Sequence, residues 1–215
     1  MTRRVFLLGT RSEGKLRELH EIFAEFGVEV TDPTQLGIAS GAAEDALECY
    51  ETFEENALAK ARYFFEVSGG QPTFGDDSGM CVETLRGEPG VYSKRWSGRD
   101  DLHGAALDAA NNTKLVERMS AARSSKGTAF TDAARYVCVA AFKDASGEQI
   151  QRGEIQGRVL SAPRGNGGFG YDPYFDAPEL GGTFAEVRLQ KTASNSHRSR
   201  AFRALLSSLR AQGRL

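Results

Sequence analysis

The chain has 215 residues, 40% hydrophobic and 26% charged, with a formal net charge of −2. These are the values of an ordinary soluble globular protein, long enough for one substantial core or two small lobes. The near-neutral charge gives no general pull toward nucleic acid or anionic membranes, so neither is expected as a partner, and a bound anion needs a local cluster of bases.

The run Val5 to Leu8, closed by Gly9, reads as a buried strand. It is too short for a signal peptide or for the ~20 apolar residues of a membrane span. Cys49, Cys81 and Cys138 are scattered without metal-ligand spacing, which suits a reducing compartment, and a cytoplasmic protein is expected. A helix follows with Leu16, Leu19, Ile22, Phe23 and Phe26 on one face and Glu18, Glu21 and Glu25 on the other. "GVEV" is a second strand, and the segment from Asp32 to Glu48 reads mainly as loop. Thr52, with Glu55 three residues on, starts a helix whose buried stripe is Phe53, Ala57, Ala61, Phe64 and Phe65.

"PTFGDDSGMCVETL" reads as two short strands broken at the acidic pair. A helix is expected from about Leu102 to Ala121, then a β-hairpin from Ala129 to Leu160 turning at "DASGE". After the Gly-dense "PRGNGGFGYDP" the chain closes with a helix from about His197 to Ala211, capped by Ser196. No linker or repeat interrupts the chain, so a single domain, 1–215, is expected. The class is mixed α/β, and the hairpin argues against a purely parallel doubly wound sheet.

Five segments carry chemistry. "GTRSEGK" stands between a strand and the helix it opens, where free N–H groups and the helix dipole favour an anion and Lys15 adds a charge. Gly9 and Gly14 have the Walker spacing, but Leu16 follows the lysine, and a tight turn explains the glycines equally well. Asp76 and Asp77 would point to opposite faces of a regular strand. Gly75 before them and Ser78-Gly79 after them suggest a break, which suits Mg²⁺ or a turn with side-chain hydrogen bonds. In "GEPGVYSKRW", Tyr92 and Trp96 read as core aromatics at a turn. In "GNGGFGYDP" four glycines around Phe169 and Tyr171 point to close backbone approach to a ligand and ring stacking. Lys191, His197, Arg198, Arg200 and Arg203 gather at a helix start, where bases are disfavoured, so His197 and Arg198 there point to a bound anion or ring. His20 and His103 read as surface residues. A phosphate loop, a metal-binding acid pair, a stacking loop and a basic cluster together are the inventory of a nucleoside triphosphate site.

The blocks "GTRSEGKLREL", "TFEENALAKAR", "DDSGMCVETLRGEPGVYSKRW", "GFGYDPYF" and "SHRSRA" run in order along nearly the whole chain. On them the sequence resembles the inosine/xanthosine triphosphate pyrophosphatase family. The resemblance implies two lobes around a long curved mixed β-sheet with flanking helices, an active-site cleft between the lobes, a homodimer and Mg²⁺ dependence. It implies hydrolysis of ITP, dITP or XTP to the monophosphate and pyrophosphate. By the same resemblance Thr10, Arg11, Ser12, Glu13, Gly14 and Lys15 hold the triphosphate. Asp77 is the proton acceptor and a metal ligand, Asp76 supports the metal, and Ser78 touches substrate. Phe169, Gly170, Tyr171 and Asp172 hold the nucleoside, and Lys191, His197 and Arg198 finish the site, His197 and Arg198 as donors to the base.

The family usually has Asn at the position of Ser12 and commonly Gly at that of Arg11. Lys191 lies one position early relative to the "SHR" block. An upstream acidic metal ligand fits Glu48 by spacing, with Glu44 and Glu51 as alternatives. Two other readings are a pyrophosphatase for modified pyrimidine triphosphates and a nucleotide sensor without turnover.

Overall fold

The structure, a computed structural model, describes residues 4–187 and 195–215. In chain order the elements are β1 (Val5–Leu8), α1 (Glu13–Glu25), β2 (Glu29–Thr31), α2 (Ala42–Asp45), α3 (Phe53–Val67) and β3 (Thr73–Val82). They continue with α4 (Gly104–Lys126), β4 (Ala133–Asp144), β5 (Gly147–Val159), β6 (Phe175–Ala177), β7 (Gly182–Thr183) and α5 (His197–Ala211). The strands form a seven-stranded sheet in the order β2-β1-β3-β4-β5-β6-β7. β1 lies parallel to β2 and β3, with Leu7 opposite Thr31 and Thr73. β6 runs antiparallel to β5 and β7. The sheet is therefore mixed, as the hairpin requires.

The chain divides into two compact units. The first holds the residues up to Asp77, Cys138–Gly153 and the C-terminal segment. Its core joins Phe6 and Leu8 of β1 to Leu19, Ile22 and Phe23 of α1, Phe74, Phe142, and Phe202, Leu205 and Leu209 of α5. The rings are closely packed, with centroids 4.9 Å apart for Phe23–Phe74 and 4.7 Å for Phe74–Phe142, spacings at which aromatic pairs add to the burial of their surface. The second unit holds Ser78–Val137 and the residues from Glu154. Its core is built on Met80, Val82, Trp96, Leu115, Met119, Tyr136, Phe175 and Phe184.

Local signals explain most helix starts. Thr52 caps α3: its hydroxyl accepts from the Glu55 N–H at 3.2 Å and donates to the Glu55 carboxylate at 2.6 Å. Ser196 caps α5 by accepting from the Ser199 N–H at 3.2 Å. The hairpin of β4 and β5 turns at Ala145-Ser146, with the Ser146 N–H held by the Asp144 carboxylate.

Four expectations need correction. β3 is one continuous strand through Asp76 and Asp77, with no break at the acidic pair. Its burial explains why: every residue from Thr73 to Val82 except Ser78 is buried, and an interruption would leave backbone groups unpaired there. The segment read mainly as loop is that, with the Asp32 carboxylate accepting from the Thr34 and Gln35 N–H groups at a turn and only α2 and a 3₁₀ turn at Ala46–Glu48 as helix. α4 runs on to Lys126. Glu18, expected on the solvent side of α1, is buried. Tyr92 is half-exposed, with the Arg95 guanidinium 5.1 Å from its ring centroid, whereas Trp96 is buried as expected.

Close packing of β3 on α3 fixes where the acidic pair sits. A Cβ at Gly75 would lie 2.8 Å from both the Ala57 carbonyl oxygen and the Ala61 nitrogen. Gly75→Ala is expected to cost about 1–3 kcal/mol, a fall in Tm of several degrees for a chain of this size. Calorimetry checks it, and an unchanged Tm would mean that this contact is loose.

Candidate active site

In the first unit the phosphate-loop candidate runs from the end of β1 into α1. The Gly9 N–H donates to the Phe74 carbonyl at 2.7 Å, and a Cβ there would lie 2.8 Å from the Phe64 ring. Gly9 is thus small because of its own neighbours. Ser12 is the N-cap of α1, its hydroxyl accepting from the Lys15 N–H at 3.4 Å. That cap leaves the hydroxyl proton available to donate. The Arg11 guanidinium meets the Glu44 carboxylate at 2.9 Å and donates to the Ile38 carbonyl at 2.8 Å. Arg11 and Glu44 therefore brace the segment after β2.

The two aspartates take separate partners because consecutive strand residues point to opposite faces. Asp76 accepts from Lys15 at 3.0 Å and lies 3.6 Å from the Arg198 Nε, all through one oxygen, Oδ2. The Arg198 Nη1 reaches Glu18 at 2.5 Å. Glu18, Arg198, Asp76 and Lys15 thus form a row of alternating charges. Burial by itself would raise the Asp76 pKa, but the charges of Lys15, Arg198 and Lys60 outweigh it and hold the carboxyl well below the usual range. Arg198 is 2% exposed and stays charged, since Glu18 and Asp76 overcome the cost of its burial. His197 is buried, and burial and the Arg198 charge push its pKa well below the ordinary value, so it is neutral at pH 7.

Asp77 meets α3 instead. Its Oδ2 accepts from the Asn56 amide at 3.0 Å and its Oδ1 from the Lys60 ammonium at 3.3 Å. Lys60 also donates to the Asp76 carbonyl at 3.0 Å and stands 2.6 Å from the Glu48 carboxylate. Burial raises the Asp77 pKa above the ordinary carboxylate value, against the pull of Lys60 and Lys15, and Glu48 adds to the rise.

Among the sequence-predicted residues of the first unit, the structure brings Lys15, Glu48, Asp76, Asp77 and Arg198 into this cluster. Asn56 and Lys60 belong to it and were missed. They are four residues apart on α3, beside the apolar stripe of Phe53, Ala57, Ala61 and Phe64, and both are buried. A lysine and an asparagine on the buried face of an amphipathic helix were the available signal, since such groups are seldom buried without partners.

In the second unit, Phe169 is partly buried in the Gly-dense loop. Tyr171 is not available for ring stacking: it is buried, and its hydroxyl donates to the Ser93 carbonyl at 2.8 Å. Asp172 accepts from the Phe169 N–H at 2.9 Å. Several glycines are required by the loop's own packing. A Cβ at Gly168 would fall 2.1 Å from the Asp172 carboxylate, and one at Gly165 would fall 2.6 Å from Ala185. Gly170 alone among these three faces open space, at φ +61°. Ser78 is partly buried on β3, and Lys191 lies outside the described residues.

A sequence model of the Ham1 family matches residues 6–208. The chain belongs to the Ham1 family. It is 44% identical over 200 residues to a dITP/XTP pyrophosphatase of Thermus thermophilus, covering 93% of this chain and 89% of that protein. It is 40% identical over 210 residues to a dITP/XTP pyrophosphatase of Ralstonia nicotianae, covering 96% and 97%. Among solved structures, a HAM1 protein from Coxiella burnetii superposes with a TM-score of 0.77 at 29% identity, covering 97% and 99%. A nucleoside-triphosphatase / dITP/XTP pyrophosphatase from Mycobacterium abscessus gives 0.66 at 34% identity, covering 95% and 99%.

Among the described residues no three acidic, histidine or cysteine side chains form a metal cage. Mg²⁺ does not need one, because it is commonly held by one or two carboxylates together with substrate phosphates. Asp77 and Glu48 suit that mode: they are two carboxylates that share the single Lys60 ammonium. Asp76 is matched by Lys15 and Arg198 and supports the site through them.

Removing the Lys60 charge should expose this balance. Losing one partner of a buried ion pair typically costs about 3–5 kcal/mol, and that loss is expected for Lys60→Met at pH 8. The variant's Asp77 then has a folded pKa raised further above its unfolded one. Such a group contributes stability at low pH that is lost as pH rises, so the deficit against wild type should shrink toward pH 5. Denaturant titrations at several pH values check this, and a deficit independent of pH would contradict it.

Proposed function

We propose that this protein hydrolyses the non-canonical purine nucleoside triphosphates ITP, dITP and XTP to the monophosphate and pyrophosphate. The observation that carries the reading is the cluster in which buried Asp76, Asp77 and Lys60 meet partly buried Glu48 and Lys15, the last in the first turn of α1. The substrate class is supported by the dITP/XTP pyrophosphatases to which the chain is 40–44% identical.

In this reading the N–H groups at the start of α1 and the Lys15 ammonium bind the phosphate chain, where helix dipole and full charge act together. Asp76, itself flanked by Arg198, keeps that ammonium in place. Thr10, Ser12, Glu13, Gly14 and Ser78 line the phosphate end. Asp77 accepts the proton of the attacking water, from a position fixed by the Asn56 amide and the Lys60 ammonium. Mg²⁺, held by Asp77 and Glu48, would neutralise phosphate charge and make a bound water easier to deprotonate. Phe169 offers a ring face to the purine, with Gly170 beside it, while Tyr171 and Asp172 shape the loop from within. His197, as a neutral ring, and Lys191 complete the site. A homodimer belongs to the same reading, carried by the family resemblance, as does a cytoplasmic setting, which the free thiols of Cys49, Cys81 and Cys138 support.

Steady-state rates on ITP, XTP, GTP, ATP and dTTP, with pyrophosphate measured as product, test the reading. ITP and XTP are expected to exceed ATP by orders of magnitude in kcat/KM, because a site built to donate to a keto oxygen leaves its donor unpaired against adenine. Preference for dTTP would overturn the purine assignment. Lys15→Ala should weaken triphosphates more than monophosphates, and equal losses would remove Lys15 from the phosphate site.

A further inference from the structure

The Phe169–Gly170 turn has three main-chain groups held by side chains. The Phe169 N–H donates to Asp172 at 2.9 Å, within the loop. The other two bonds come from α4. The Gly170 N–H donates to the Asp108 carboxylate at 2.8 Å, and the Asn112 amide donates to the Gly170 carbonyl at 2.9 Å. Asp108 and Asn112 are four residues apart, so they lie on one helix face and grip the two sides of a single residue. α4 itself is anchored by Leu115 and Met119 in the second core and by Asn111, which accepts from the Ser97 N–H and donates to the Lys94 carbonyl.

We propose that Asp108 and Asn112 are positioning residues that set purine affinity by fixing the Phe169–Gly170 turn. This rests on the functional reading above. A loop this rich in glycine has many conformations to lose when a ligand orders it. Two side-chain bonds to Gly170, one of them to a charged acceptor, remove that loss in advance of binding. The partly buried Phe169 ring is then presented at one angle, while Gly170 leaves open space on its Cβ side. Neither Asp108 nor Asn112 is assigned a contact with the phosphates or the proton acceptor. Their loss should therefore weaken the hold on the base and spare the chemical step.

The chemistry of the two bonds gives distinct expectations for conservative variants. Asp108→Asn keeps an acceptor oxygen for the Gly170 N–H, whereas Asp108→Ala does not. Asn112→Asp removes the donor and sets a carboxylate against a carbonyl. Asp108→Ala and Asn112→Asp are expected to raise KM for ITP about tenfold, the equivalent of one charge-assisted bond. kcat should stay within about twofold, Asp108→Asn should behave like wild type, and inhibition by inorganic triphosphate should be unchanged in all three. Deuterium exchange on the nucleotide-free protein supplies a readout without turnover: the Gly170 amide should be protected in wild type and in Asp108→Asn, and exposed in Asp108→Ala. Equal weakening of ITP and inorganic triphosphate would overturn the proposal, as would unchanged amide exchange. A wild-type protein that protects Gly170 but does not turn ITP over would instead overturn the functional reading.

Discussion

Two adjacent carboxylates buried in the middle of a strand are the constraint on which the first unit depends. An unpaired buried carboxylate is costly enough that a chain ordinarily protonates it or keeps it out. Here the charge is matched by cations brought from distant parts of the sequence: Lys15 from α1, Lys60 from α3 and Arg198 from α5. Glu18 then matches the remaining reach of Arg198. The same contacts that make the aspartates tolerable therefore dock three helices against β3. Fold and candidate site are one set of interactions in this unit, and Phe74, two residues before Asp76 on β3, belongs to the apolar core with Phe23 and Phe142.

The continuity of β3 gives the two aspartates different work. Alternation puts Asp76 toward Lys15 and Arg198, and Asp77 toward Asn56 and Lys60. One carboxyl is pulled below its ordinary pKa and the other raised above it. Neighbouring titratable groups driven apart in this way are the usual sign of divided roles. Asp76 is a fixed counter-ion for Lys15, and in the proposed reaction Asp77 is left to accept the proton.

The caps and the hairpin were legible because their determinants are local: Thr52 with Glu55, Ser196 with Ser199, and the turn after Asp144. The site was legible as a set of residues through the order of its blocks, and far less as a geometry. The strand break expected at Asp76-Asp77 was wrong because the cations that permit burial there lie up to 122 positions away along the chain. Arg198, expected to serve an outside anion or base, has internal carboxylates as partners, which no helix-start rule could show. Tyr171 reads from its glycine neighbours as a stacking ring, yet its hydroxyl donates to the Ser93 carbonyl. Those glycines fit Asp172 and Ala185 as much as any ligand, and a clash with the protein's own chain cannot be read from composition.

The division of work between the aspartates is tested most directly by comparing Asp76→Asn with Asp77→Asn for unfolding free energy and kcat on ITP in one set of measurements. Asp76→Asn leaves Lys15 and Arg198 short of a buried counter-charge and is expected to lose about 3 kcal/mol or more of stability, with the larger rise in KM. Asp77→Asn is expected to keep most of its stability, because Glu48 and the Asp76 carbonyl still face Lys60, and to lose about 10²–10⁴-fold in kcat. Two variants with the same profile, or the larger loss of kcat in Asp76→Asn, would contradict the account.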